Sequence, residues 1–218
     1  MRQQASLSPL PVILLVLAFI FNQSEAYGMR SAETTHQHGD VSITARTEGD
    51  VKYVSGTIVV PAPVDKVWPV VVNPFEYPGK IFPRMSKVEV LSDEPSRSLL
   101  RETVNVPIFS PLTYDVISEY DLKRSRIEFH RVAGAFKDFR GFWSLEPVDG
   151  GAHTQATYGL YIETGMPVPQ WLVNAAVKLE LPKTLRNVKR RAVAVAQSQE
   201  PPERRTIMAA DPAGAVTQ

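Results

Sequence analysis

An ionisable side chain set into an apolar strand face can do chemistry, and Glu102 is the clearest case in this 218-residue sequence. Alternation along Ser98 to Val106 puts Glu102 on one face with Leu100, Val104 and Val106. Burial shifts the pKa of a carboxyl so placed, which suits it to general acid or base work. Arg131 shares parity with Ile127 and Phe129 on another run. Two readings of this pair stand side by side: the charges sit near strand edges or pair with each other, or both face inward and orient the polar end of a bound molecule. If they pair inside, removing one partner leaves the other uncompensated at a cost on the order of 3–5 kcal/mol. Tyr114, Ser118, Tyr120 and Tyr158 fall in alternating runs and add hydroxyls to that interior.

Other chemistries have weaker footing. His36-x-His38 followed by Asp40 has two ligands at metal spacing, but no third follows, so no metal site is expected. His130 shares a face with Glu128 and Val132 and reads as solvated, and His153 sits in a turn. The absence of cysteine removes disulfides and thiolate catalysis, and no Gly-x-Ser-x-Gly elbow occurs. No cofactor is implied. The net charge of +1 selects no nucleic acid. Lys183, Arg186, Lys189, Arg190 and Arg191 gather near the end of the last helix, where cations suit the helix dipole. The sharper reading of that run is a transient contact with anionic lipid head groups.

Aromatic residues carry most of the pocket signal. Trp68, Phe82, Phe129, Phe139, Trp143 and Tyr158 are expected to line an apolar interior, with Val104 from a strand and Leu172, Ala176 and Leu179 from the closing helix.

The elements that must hold these residues follow from hydrophobic period. Tyr53 to Val60 alternates as a strand. After Pro61-Ala62-Pro63, the residues Val64, Val67, Trp68, Val71 and Val72 recur at helical spacing, and a second short helical piece falls within 75–82. Six strands follow: Ser86 to Leu91, Ser98 to Val106, Leu112 to Leu122, Arg126 to Val132, Phe136 to Leu145 and Thr154 to Ile162. Their short connections favour antiparallel neighbours. Gln170 to Gln197 reads as one long helix with an apolar stripe of Leu172, Ala175, Ala176, Leu179, Leu185, Val188, Ala192 and Val195, and Pro182 is expected to kink it. The fold class is therefore α+β: a curved antiparallel sheet of about seven strands wrapped around a long C-terminal helix, with two short helices after the first strand. A hollow between helix and sheet is the expected by-product.

Residues 1–26 read as a signal peptide. Arg2 precedes the uncharged apolar run Leu10 to Phe21, and small residues at Ser24 and Ala26 place cleavage after Ala26. An uncleaved membrane anchor is the alternative. Residues 27–45 read as a flexible lead-in, 46–197 as the folded domain and 198–218 as a disordered tail.

Four segments in this order carry a resemblance. They are Gly56 to Trp68 through Pro61-Ala62-Pro63, Phe75 to Pro83, Arg140-Gly141-Phe142-Trp143-Ser144-Leu145-Glu146-Pro147 with Gly151-Ala152-His153-Thr154, and Pro169 to Ala192. Together they resemble the START-like (SRPBCC) superfamily, most nearly its polyketide cyclase/dehydrase and coenzyme-Q-binding group. The resemblance implies the helix-grip fold and a lipid, quinone or polyketide-like ligand in an apolar cavity. It leaves three roles open: an exported carrier, an exported cyclase, dehydratase or isomerase using the same cavity, and a protein-interaction module.

Overall fold

The structure is a computed structural model and describes residues 35–48, 51–106 and 110–198. The expected signal peptide and nearly all of the expected tail lie outside the described residues.

Nine strands form one antiparallel sheet: β1 His36–His38, β2 Val41–Glu48, β3 Val51–Val60, β4 Met85–Glu94, β5 Arg97–Val104, β6 Leu112–Asp121, β7 Arg126–Gly134, β8 Asp138–Val148 and β9 His153–Glu163. Their spatial order is β1-β2-β3-β9-β8-β7-β6-β5-β4. Five hairpin steps therefore return the chain from the β4 edge to β9, which pairs with β3. Helix α1, Val64–Val72, and the 3-10 turn Pro74–Glu76 carry the chain from β3 to that edge. Helix α2, Gln170–Gln197, closes the fold and continues through Pro182.

Two expectations change here. The sheet has nine strands, because β1 and β2 occupy residues 36–48, mostly within the stretch read as a flexible lead-in. Their polar composition hid an alternation in which Val41 and Ile43 are buried on the α2 side. The second short helix shortens to the single turn at Pro74–Glu76, because Pro78 and Gly79 (φ 68°) interrupt it.

The core lies between the helices and one face of the sheet. Register links that face across the strands: Gly56 stands opposite Tyr158, Tyr158 opposite Trp143, and Trp143 opposite Ile127. Further along, Ser118 stands opposite both Phe129 and Ser98, and Glu102 opposite both Val88 and Tyr114. Helix α2 packs on β3, β9, β2 and α1, and α1 reaches β8 and β9. Gly56 sets how close α2 can come. A methyl group there would stand 2.7 Å from Leu185 Cδ1 and 3.1 Å from Ile43 Cδ1.

The outer side of α2 is stitched to both ends of the domain. Arg191 grips Glu76 with two charge-assisted hydrogen bonds, Nε to Oε2 at 2.7 Å and Nη2 to Oε1 at 2.9 Å. Asn187 donates to the Ile81 carbonyl, while Arg186 and Lys189 both reach Asp40 in the β1–β2 turn. Burial alone would raise the pKa of Glu76, but Arg191 and then Lys80 outweigh it and hold the carboxyl below its ordinary range. A depressed pKa contributes stability above the unfolded value near 4.5, and that contribution is lost as pH falls through the lower folded value. Arg191→Ala is accordingly expected to cost about 2–3 kcal/mol at pH 7, reduced from the fully buried case because the arginine is 38% exposed. Urea unfolding at pH 7 and pH 3 checks this, since the difference from wild type must shrink at the lower pH.

Candidate functional site

Glu102 on β5 has the environment that its pattern predicts. It is 6% exposed and stands beside Val88 and Tyr114 in register. Burial pushes its carboxyl up to about 7, and the Tyr114 hydroxyl, acting as hydrogen-bond donor, pulls it partly back. No lysine, arginine or histidine pairs with it among the described residues. The phenols of Tyr77, Tyr114 and Tyr158 all feel its charge, and burial raises the pKa of each. Three phenols and one carboxyl thus converge from the segment after α1 and from β5, β6 and β9.

Aromatic rings wall this cluster. Trp143 and Tyr158 stack with centroids 4.3 Å apart and planes 13° apart. Phe129 lies 6.0 Å from Tyr158 and 5.6 Å from Phe139, and Phe139 lies 5.0 Å from Tyr114. Phe82 meets Tyr158 at 6.0 Å and Tyr77 at 5.2 Å. At one end the Ser98 and Tyr120 hydroxyls share a 2.6 Å hydrogen bond, and Trp68 sets its edge against Tyr120.

Tyr158 is 6% exposed, and its hydroxyl has no hydrogen-bond partner among the described residues. Ser55 Oγ is the only fully enclosed partnerless side-chain oxygen among them. Among the described residues, the Tyr158 hydroxyl thus stands unspent within this wall of aromatic rings. Tyr77, by contrast, spends its hydroxyl on the Val71 carbonyl at 2.7 Å.

Most residues expected at the site come together here. Glu102, Tyr114, Ser118, Phe129, Phe139, Trp143 and Tyr158 are buried on the inner face, with Trp68, Phe82 and Val104 half-buried against it. Arg131 keeps inner parity but does not pair with Glu102. Its guanidinium turns to the β7–β8 connection and donates to the Gly134 and Ala135 carbonyls, where it caps backbone rather than neutralising a buried acid.

The helix contribution needs correction. Leu179 is 52% exposed, Ala176 is exposed and Leu172 is half-buried. The buried stripe of α2 runs through Val173, Val177, Leu181, Leu185, Val188, Ala192 and Val195. Stepping back from Leu185 at 3.6 residues per turn leads to Leu181 and Val177, nearly opposite Leu179. The two large leucines drew the expected stripe onto the wrong phase.

The basic run is also committed inside the domain. Arg186 and Lys189 hold Asp40, Arg191 holds Glu76, Lys183 bridges to Glu180, and Arg190 donates to Asn187. His36 and His38 lie in β1 rather than in an irregular lead-in. Pattern reading missed Tyr77 and Phe136. Tyr77 lies in the proline-interrupted segment, where neither period applies. Phe136 adopts φ 71° in a turn, from which its ring stacks on Phe139 and meets Tyr114 at 5.1 Å.

Comparison with known proteins follows the same geometry. A family model described as polyketide cyclase / dehydrase and lipid transport matches residues 53–193. No curated protein matches the chain in sequence. Among solved structures, the STAR-related lipid transfer protein from Xanthomonas axonopodis is 16% identical at a TM-score of 0.60, over 74% of this chain and 98% of that one. The Zhui aromatase/cyclase from Streptomyces sp. R1128 is 23% identical at 0.58, over 67% of this chain and 96% of its own. Human STARD10 is 10% identical at 0.61, over 76% and 74%. At these identities the likeness is one of fold, and it is the helix-grip fold.

Proposed function

Because the chain belongs to the polyketide cyclase / dehydrase and lipid transport family, we propose that it is an exported binding or carrier protein for a hydrophobic small molecule of lipid, quinone or polyketide-like character. One observation carries the reading: buried Glu102 and the Tyr158 hydroxyl, which has no hydrogen-bond partner among the described residues, stand inside a wall of aromatic rings. A mostly apolar interior with a few convergent polar groups is the usual form of a small-molecule site. Removing about 300 Å² of apolar ligand surface from water contributes roughly 7 kcal/mol before the costs of association. That is enough for useful affinity without catalysis. Structural neighbours named as a lipid transfer protein and as an aromatase/cyclase are compatible with this class of ligand.

Native mass spectrometry of the protein purified from its own envelope fraction, followed by solvent extraction, tests the reading. The expected result is one apolar small molecule per chain. A chain that stays at its bare mass, and takes up no apolar compound when offered a panel of them, counts against it. Export rests on the apolar run Leu10 to Phe21 and the small residues at Ser24 and Ala26. N-terminal sequencing of the mature protein is expected to start at Tyr27, whereas an intact Met1 on the envelope-associated form would indicate an anchor.

A cyclase, dehydratase or isomerase using the same interior is the second reading, and Glu102 favours it. A carboxyl held near 7 is matched to proton transfer at neutral pH. Catalysed deuterium exchange at the α-carbon of an apolar ketone, with a pH dependence centred near 7, would support it. Exchange no faster than in buffer removes it.

A further inference from the structure

We propose that the interior discriminates by charge: it takes an uncharged amphiphile whose polar end is a hydroxyl, ketone or amide hydrogen-bonded to Glu102 and Tyr158, and it turns away carboxylate and phosphate ligands of the same chain length. The inference rests on the ligand-binding reading above and names the ligand class.

The argument is an inventory of charge around Glu102. Its own strand offers Arg101, which lies on the outer face and is bound to Asp115. On β4, Val88 stands opposite, while Lys87 and Glu89 face outward and pair with each other. On β6 and β9 the facing groups are the phenols of Tyr114 and Tyr158, and after α1 the phenol of Tyr77. The nearest arginine of inner parity, Arg131, is spent on the Gly134 and Ala135 carbonyls. The side chains that α2 buries are aliphatic apart from Pro182 and Thr184. The inner face of α1 carries valines, and Asp65 and Lys66 pair at its outer start.

An anionic ligand drawn inside would meet a carboxyl and three phenols, with no cation among the described residues to receive it. Burying an unpaired charge is costly at any protonation state of Glu102 and costlier beside an ionised one. A neutral polar end faces no such penalty. It can accept from the Tyr158 hydroxyl, which has no partner among the described residues, and can donate to or accept from Glu102. Protonated Glu102 is the receptive form, so affinity for an uncharged ligand falls as pH rises through the carboxyl's value near 7.

The test is equilibrium binding of 1-dodecanol, dodecanoate and dodecylammonium to the full chain at pH 6 and pH 9, followed by native mass spectrometry. Dodecanol is expected to bind on the order of a hundredfold more tightly than dodecanoate at pH 6. Its affinity is expected to weaken by up to roughly tenfold per pH unit above 7. Glu102→Gln, which preserves shape, is expected to flatten that pH dependence. Tyr158→Phe is expected to weaken dodecanol roughly fivefold. Dodecanoate at either pH, or dodecylammonium at pH 6 where Glu102 holds its proton, binding as tightly as dodecanol overturns the charge rule and leaves the ligand-binding reading intact. A pH-dependent loss of dodecanol that persists in Glu102→Gln overturns the assignment to Glu102. Binding of none of the three overturns both the charge rule and the reading beneath it.

Discussion

Glu102→Gln is expected to make the protein about 3 kcal/mol more resistant to unfolding at pH 8, and to change nothing at pH 4. In the unfolded chain the carboxyl titrates near 4.5, and in the folded interior burial holds it near 7. Between those values the native state binds the proton that the unfolded state has lost, so stability falls as pH rises. Above about 7 both states are ionised and the loss is complete. Glutamine keeps the shape and hydrogen bonds of the protonated form and has no proton to lose. At about 1.4 kcal/mol per pH unit, the interval from 4.5 to 7 gives the figure of about 3 kcal/mol. Urea unfolding of both proteins from pH 4 to pH 9 reads it directly. Parallel curves would mean that Glu102 is hydrated in the native state. A stabilising loss of an inward carboxyl is the expected signature of a residue kept for binding or chemistry rather than for folding.

Gly141→Ala is expected to cost about 3 kcal/mol or more, through contact rather than backbone conformation. Gly141 faces inward on β8 between Phe139 and Trp143, opposite Phe129 on β7 and Leu160 on β9. A β-carbon there would stand 2.3 Å from the Gly159 carbonyl oxygen and 2.3 Å from Phe129 Cζ. The carbonyl belongs to the β8–β9 pairing and cannot withdraw without opening it. The ring of Phe129 would have to leave its place beside Tyr158 and Phe139. The expected outcome in a thermal melt is a drop of about 10 °C, with lost affinity for any apolar ligand in whatever remains folded. Gly150→Ala is the control. Gly150 lies at φ 67° with nothing within 4 Å of the added carbon, so only the conformational penalty of about 1 kcal/mol applies. Equal losses at the two positions would show that the close approach at Gly141 is relieved cheaply.

Much of this architecture is legible in alternation. Glu102 among Leu100 and Val104, and Trp143 between Phe139 and Leu145, sit where period two puts them, because a strand with one buried face leaves no other register. Three things escaped for physical reasons. Val41 and Ile43 lie in a stretch whose composition is polar, and only tertiary pairing of β2 with β3 reveals the strand. The phase of α2 is decided by where Gly56 admits the helix, a contact with residues more than a hundred positions away. Leucine size alone pointed to Leu172 and Leu179, and the fold chose Val177 and Leu181. Arg131 was legible in parity but not in fate. The β7–β8 connection, with Gly134 at φ 84° and Phe136 at φ 71°, presents carbonyls that claim its guanidinium before Glu102 can.

Room for a ligand beside the Tyr158 hydroxyl is the premise beneath both the function and the charge rule. A crystal of the protein grown with 12-bromo-1-dodecanol locates it, because anomalous scattering fixes the bromine and electron density fixes the hydroxyl. The account predicts one molecule per chain, its bromine among Phe129, Trp143 and the inner face of α2, and its hydroxyl within 3.2 Å of Tyr158 or Glu102. Side chains filling that volume, or the bromine held only on the protein's outer surface, would contradict it.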